Sequence, residues 1–152
     1  LAERHGGDRI SADTYETMVA ESAAMIAPFV ATLGIDLPLA GGNLQLLGTS
    51  GTVTTIAGLH QGLKRYDRAK IDGFLLDFDA IRHQVNRLLK MDFESRAAEP
   101  CIGAGRGDLV VAGCAILEAI LRACPAETVH VADRGLREGI LLSMMRADNL
   151  PL

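Results

Sequence analysis

The residues of this chain best suited to chemistry gather in one short turn, Gly48-Thr49-Ser50-Gly51-Thr52. An apolar run (Leu44, Leu46, Leu47) precedes it, and a helix-like pattern, Val53-Thr54-Thr55-Ile56-Ala57, follows. Strand, tight turn and helix start are the expected order. The first backbone N–H groups of a helix have no partner inside it. Together with the helix dipole they favour an anion. Glycine permits close approach of a phosphate or ribose to the backbone, and Thr49, Ser50 and Thr52 add hydroxyls. The candidate ligand contacts are therefore Gly48, Thr49, Ser50, Gly51 and Thr52.

Two familiar motifs are excluded. No Lys follows the second glycine, so this is not a P-loop. The second glycine falls one position too early for a G-x-S-x-G nucleophile elbow. The plainer alternative is a βα turn whose hydroxyls cap the next helix, and local sequence leaves both open.

The other candidate is Arg106, in the glycine-rich stretch Ile102-Gly103-Ala104-Gly105-Arg106-Gly107. Its guanidinium fork suits a phosphate. A salt bridge to Asp108 or to a helix C-terminus is the alternative. Arg134 and Arg137 read as structural, with Asp133 as a helix cap. Lys64, Arg65 and Arg68 form a small basic run, read as a solvated face that could also guide a polyanion. His5, His60, His83 and His130 are scattered, so no zinc site is expected. Asp77 and Asp79 read as helix caps, and Glu94 and Glu99 as members of a polar loop.

Composition bounds the partners. The 152 residues are 49% hydrophobic and 22% charged, ordinary values for one globular domain. Only 4% are aromatic, so the core is aliphatic and base stacking is not the main mode of binding. A net charge of −4 gives no overall attraction to nucleic acid or to an anionic membrane. No run is long enough to span a membrane. Three scattered cysteines, Cys101, Cys114 and Cys124, read as reduced thiols of a cytoplasmic protein, with Cys114 buried.

The elements that must hold these residues follow from periodicity. Ser11 opens a helix running to about Thr32, with Pro28 predicting a kink or an early end. Leu33 to Gly42 reads as a loop, 44–48 as a strand, and 52–63 as a helix ending at Gly62. Lys64 to Lys70 is a charged linker, and Ile71 to Leu76 is extended. Asp77 or Asp79 caps a helix over 80–91. Glu99 to Gly107 is a loop. Asp108 then caps a strongly apolar helix, Leu109 to Ala123. Thr128 to Val131 is a strand, Asp133-Arg134-Gly135 a turn, and Leu136 to Met145 a helix. Two strands and five helices make a poor independent α/β domain. The chain opens on Leu1 rather than Met, and the expectation is a fragment whose first strands lie upstream.

Three segments, in order, carry a resemblance: Gly48-Thr49-Ser50-Gly51-Thr52-Val53-Thr54-Thr55, then Ile102 to Leu109 with Gly113, then Asp133-Arg134-Gly135-Leu136-Arg137-Glu138-Gly139-Ile140-Leu141. They resemble the exopolyphosphatase/guanosine-pentaphosphate phosphohydrolase family. Ala104, Gly107 and Asp72 depart from its common Pro, Ala and His. The resemblance implies an α/β fold, a partial actin-like ATPase (ribonuclease H-like) lobe with a mixed sheet flanked by helices. Residues 1–152 then make most of the second lobe, with a core of 1–63 and 125–147 and a helical insertion of 64–124. The strand, turn and helix at 44–63 then match the superfold's adenosine motif, and the turn and helix at 133–145 match the helix that packs across the hinge from the other lobe.

The resemblance also implies the reaction: removal of a terminal phosphate from polyphosphate or guanosine pentaphosphate, with Mg²⁺. The general-base glutamate and the Asp-Gly-Gly-Gly-Ser phosphate loop of that family are not in this sequence. No catalytic residue and no metal ligand is therefore expected here, and the chain alone is expected to be inactive. Its expected role is a ligand-binding wall facing the missing N-terminal lobe. With the apolar helix 109–123, the resemblance suggests a homodimer of the full-length protein. The rivals are a non-catalytic binding or regulatory module of the same fold and an ATP-binding kinase lobe.

Overall fold

A computed structural model describes residues 1–32, 45–124 and 126–150. The predicted loop from Leu33 to Gly42, and Leu44 at the head of the predicted strand, lie outside them. The centre is a three-stranded mixed sheet of β1 (Leu46–Gly48), β2 (Leu75–Asp77) and β3 (Thr128–Val131), in the order β1-β3-β2. β1 runs parallel to β3, with Leu47 opposite His130; β2 runs antiparallel, with Leu76 opposite Val129. Two further backbone bonds, Gly73 N–H to the Val131 carbonyl and Val131 N–H to the Phe74 carbonyl (2.8 Å each), prolong the β2 pairing. β3 alternates as a half-buried strand should: Val129 and Val131 are in the core, Thr128 and His130 are not. The expected extended run 71–76 thus becomes a third strand, displaced to 75–77, and the mixed sheet is as expected.

Helices cover this sheet. α1 (Ala2–His5) is a single turn whose His5 meets Glu21 at 2.9 Å. α2 (Ala12–Thr32) begins after Ser11, whose hydroxyl oxygen accepts from Thr14 N–H at 3.1 Å. It continues through Pro28 rather than ending there. α3 (Gly51–His60) buries Val53 to Leu59 almost without interruption. α4 (Arg68–Ile71), capped by Asp67, interrupts the predicted charged linker. α5 (Phe78–Leu89) starts at Asp77, whose carboxylate accepts from Ala80 N–H at 2.6 Å; of the two predicted caps, Asp77 is the one. α6 (Phe93–Ala97), capped by Asp92, precedes the predicted loop.

α7 (Val110–Ala123) is the apolar helix expected from the sequence, and most of it is buried. Its start differs from expectation. Leu109 holds the cap position with no side-chain bond, and Asp108 does not cap. The Asp108 backbone and Cβ instead lie where a Cβ on Gly7 would stand, at 2.6–3.2 Å. α7 packs along α2, and Arg122 ties them by a two-pronged bond to Glu16 (2.9 Å each) while also meeting Glu118.

One buried charge organises the periphery. Arg96 on α6 has no exposed surface. It donates to the carbonyls of Gly107 (2.8 Å), Met91 (2.7 Å) and Leu88 (3.5 Å), and to those of Gly7 and Asp8. Burial pulls its proton affinity down, while Asp8, Asp92 and Asp108 nearby hold it up. A guanidinium retains its proton under such conditions. Arg96 therefore joins the first residues of the chain to the glycine-rich loop that carries Arg106. Sequence reading missed it.

α8 (Leu136–Ala147) differs from the other long helices: none of its residues is buried. Leu136 is 80% exposed, and Ile140, Leu141 and Met144 are at least half exposed. Among the described residues, no helix is long and apolar enough to cross a membrane.

Candidate functional site

The predicted strand, turn and helix start hold the candidate residues. Ser50 caps α3: its hydroxyl oxygen accepts from Val53 N–H at 3.3 Å. Thr54 N–H goes to the Ser50 carbonyl at 3.1 Å. The N–H groups of Gly51 and Thr52 make no hydrogen bond among the described residues. Two adjacent backbone donors therefore stay open at the positive end of α3.

The two glycines of the turn have different reasons to be glycine. A Cβ on Gly48 would sit 2.7 Å from Val53 Cγ1 and 2.9 Å from Val129 Cγ1. Gly48 is needed so that β3 and α3 can close on β1. A Cβ on Gly51 would meet only the guanidinium of Arg106, with Nη1 at 3.3 Å. Gly51 thus faces outward, and Arg106 reaches back over it from the loop before α7.

Three depressions converge here. The first, about 190 Å³, lies between Gly51, Thr52, Thr55 and Arg106, with Ile102 and Val110 as its floor. It combines the open N–H groups with the guanidinium. The second, about 280 Å³, is walled by Leu47, Thr52, Ile116 and Ile120 and carries no charged side chain. Such a wall suits an apolar or planar group. The third, about 340 Å³, begins at Thr49 and extends along the first turn of α8. Thr52 borders the first two, and Thr49 the last two. The packing is tight: a Cβ on Gly113 of α7 would fall 2.2 Å from Thr52 Oγ1.

The sequence-predicted residues thus come together as one surface: Gly48 to Thr52 form the turn and Arg106 covers it. Among the described residues Arg106 makes no ion pair with Asp108 or any other carboxylate. Arg134 is engaged as expected, donating Nε–H to Asp72 at 2.9 Å. Asp133 does not cap α8; Glu138 does, accepting from Gly135 N–H at 2.8 Å. Arg68, read as part of a solvated run, instead binds the Asp133 carbonyl and lies 3.4 Å from the Asp133 carboxylate and 3.5 Å from Glu138. The signal for Arg68 was weak, because its partners lie 65 residues or more away in the chain. Among the described residues no three His, Cys, Asp or Glu side chains gather as a metal ion would need.

Known proteins share this arrangement of elements. The model of the Ppx/GppA phosphatase family matches residues 8–148. Exopolyphosphatase 2 of Mycobacterium tuberculosis is 28% identical over 102 residues, 64% of this chain and 32% of that protein. An exopolyphosphatase-like protein of known structure superposes with a TM-score of 0.80 at 28% identity, over 96% of this chain and 47% of that one. The Aquifex aeolicus PPX-GPPA enzyme gives 0.77 at 22% identity, over 93% and 45%. An exopolyphosphatase from Cytophaga hutchinsonii gives 0.75 at 21% identity, over 95% and 45%. The chain therefore spans about a third of the curated relative and less than half of the solved ones. The fold they share with it is the actin-like one expected from the motifs. The chain belongs to the Ppx/GppA phosphatase family.

Proposed function

We propose that this chain supplies the ligand-binding wall of a two-lobe phosphoanhydride hydrolase, which removes a terminal phosphate from polyphosphate or guanosine pentaphosphate. One observation carries the reading: the Arg106 guanidinium overhangs Gly51, beside the open N–H groups of Gly51 and Thr52. Backbone N–H groups at a helix start together with a guanidinium fork are well matched to phosphate oxygens. Thr49 and Ser50 keep hydroxyl protons that can donate to the same ligand. The uncharged cavity beside Leu47, Ile116 and Ile120 can take a nucleobase, which favours guanosine pentaphosphate.

Phosphoryl transfer rests on positioning and on neutralising charge. This chain offers the positioning. The two carboxylates that line a cleft with Thr49, Asp133 and Glu138, are occupied by Arg68 and by Gly135 N–H. Among the described residues no group of carboxylates fits Mg²⁺. The general base and the metal ligands belong to the other lobe in this reading. The exposed apolar face of α8 is where that lobe packs, and the full-length protein is a homodimer in the cytoplasm.

The test is isothermal titration of the chain with inorganic pyrophosphate. The unmodified chain should bind, and Arg106→Gln should weaken binding about tenfold, the loss of one charge-assisted contact. Equal affinity would remove Arg106 from the site. The chain alone should not release phosphate from pentaphosphate or polyphosphate; metal-dependent turnover would contradict the assignment of the reactive groups to the other lobe.

A further inference from the structure

The loop that carries Arg106 is exposed at Ala104, Gly105 and Arg106 and buried at Gly107. Gly107 is its pivot. A Cβ there would lie 3.1 Å from Phe93 Cε2 and 3.2 Å from Ala97 Cβ, both on α6. Its carbonyl accepts Arg96 Nε–H, also from α6, at 2.8 Å. Asp108 is packed by a different segment: its Cβ, Cα and carbonyl oxygen lie 2.6–3.2 Å from where a Cβ on Gly7 would stand. Arg96 closes the arrangement by donating to the carbonyls of Gly7 and Asp8. Asp8 in turn accepts Phe93 N–H at 2.9 Å, and Arg9 meets Asp92, the α6 cap, at 3.3 Å. Segment 7–9, α6 and residues 107–108 therefore interlock on the backbone next to Arg106. The Arg106 carbonyl accepts Val110 N–H at 3.0 Å, so a shift at Gly107 or Asp108 is felt at Arg106. The Arg106 side chain has no ion pair of its own among the described residues. Nothing but its backbone then fixes where so long a chain points, and a long exposed chain gives up much rotamer freedom to be held.

We propose that Arg96 is a positioning residue: it fixes the backbone beside Arg106 and so keeps the Arg106 guanidinium over Gly51. Gly7 is the second part of the same brace, because only a residue without a Cβ lets segment 7–9 lie against Asp108. The effect on binding rests on the reading of the turn as a phosphate site; the station of Arg106 does not. Lysine cannot replace Arg96. An ammonium has three donors and no planar fork, whereas Arg96 serves five carbonyls.

The experiment uses the unmodified chain, Arg96→Lys, Gly7→Ala and Arg106→Gln, and the first two substitutions each combined with Arg106→Gln, all at a temperature where far-UV dichroism shows them folded. Gly7 has no positive φ, so Gly7→Ala adds one methyl against Asp108 without backbone strain, and it decides the matter if Arg96→Lys does not fold. The first arm needs no ligand. Proton Overhauser contacts between the Arg106 side chain and Gly51 should be present in the unmodified chain and lost in Arg96→Lys and Gly7→Ala, while those between Leu76 and Val129 persist. In the second arm, calorimetry with inorganic pyrophosphate should show each of these two variants binding about threefold to tenfold more weakly, the upper bound being the loss of Arg106 itself. Neither should weaken binding further once residue 106 is Gln, because both act through Arg106. Contacts to Gly51 that survive both substitutions would overturn the brace. So would an equal loss of affinity with and without Arg106, which marks a general loosening of the fold. If the contacts are lost as expected but no chain binds pyrophosphate, the brace stands and the reading of the turn as a phosphate site fails.

Discussion

Substituting the two glycines of the turn should give effects of opposite kind. In Gly48→Ala the new methyl would lie 2.7 Å and 3.0 Å from the two methyls of Val53 and 2.9 Å from Val129 Cγ1. Carbon atoms in contact sit about 3.5–4.0 Å apart, so two buried valines must yield by roughly half an ångström or more. Overpacking of this degree costs about 1–3 kcal/mol. Lower entropy of the unfolded chain returns up to about 1 kcal/mol. The net loss is about 1–2 kcal/mol, and the melting temperature should fall by roughly 2–8 °C for a domain of this size. In Gly51→Ala the methyl meets only the far end of the exposed Arg106, at 3.3 Å. Neither glycine has a positive φ, so no backbone strain is added. Alanine is the better residue at a helix start, and stability should hold or rise by up to about 1 kcal/mol. The same methyl stands between the open N–H groups and Arg106, and pyrophosphate binding should weaken severalfold. Thermal unfolding followed by far-UV dichroism, paired with titration, separates the two. A Gly51→Ala chain that melts as low as Gly48→Ala, or a Gly48→Ala chain that melts unchanged, would contradict these two packing environments.

Other consequences are as direct. Arg96→Met should destabilise the chain by about 3–5 kcal/mol, because buried carbonyls lose a charged donor; urea unfolding reads this, and a loss under about 1 kcal/mol would contradict it. Burial pushes the Cys114 thiol up to about 12, so at pH 8 a thiol reagent should label the partly buried Cys124 first while the folded chain protects Cys114. Rapid labelling of Cys114 before unfolding would argue against the buried α2–α7 contact. The carboxyl of Asp72 lies below its ordinary range because it accepts Asp133 N–H and then Arg134. That of Glu138 is lowered by Gly135 N–H. A group whose folded pKa is depressed stabilises the fold above its unfolded pKa, and the contribution is lost as pH falls through the folded value. The melting temperature should therefore drop as pH falls below about 4, and Asp72→Asn should flatten that drop.

The turn is legible in the sequence because its chemistry is local. The glycines, the hydroxyls and the resumed helical pattern point to β1, the Ser50 cap and α3, whose defining partners lie within a few residues. The apolar face of α7 is legible for the same reason. What escapes a sequence reading depends on distant backbone. Asp108 has the residue type of a cap, yet its place against Gly7 is set by a contact across the fold. Arg96 sits among ordinary polar residues, and its task is defined by carbonyls 88 and 89 positions away. The β2 strand is three residues long, and its antiparallel place beside β3 carries no local signal. Arg106 is visible as a candidate, but its station over Gly51 comes only from the fold. The apolar residues of α8 predict a helix correctly, and nothing in their spacing tells that none is buried.

In the proposed site the start of α3 and Arg106 together hold a phosphate. The most direct measurement is an amide and guanidinium NMR titration of the chain with inorganic pyrophosphate. The largest saturable shifts should fall on the Gly51 and Thr52 N–H groups and on the Arg106 Nε–H. Shifts spread over the exposed lysines and arginines, with those three signals unmoved, would contradict it.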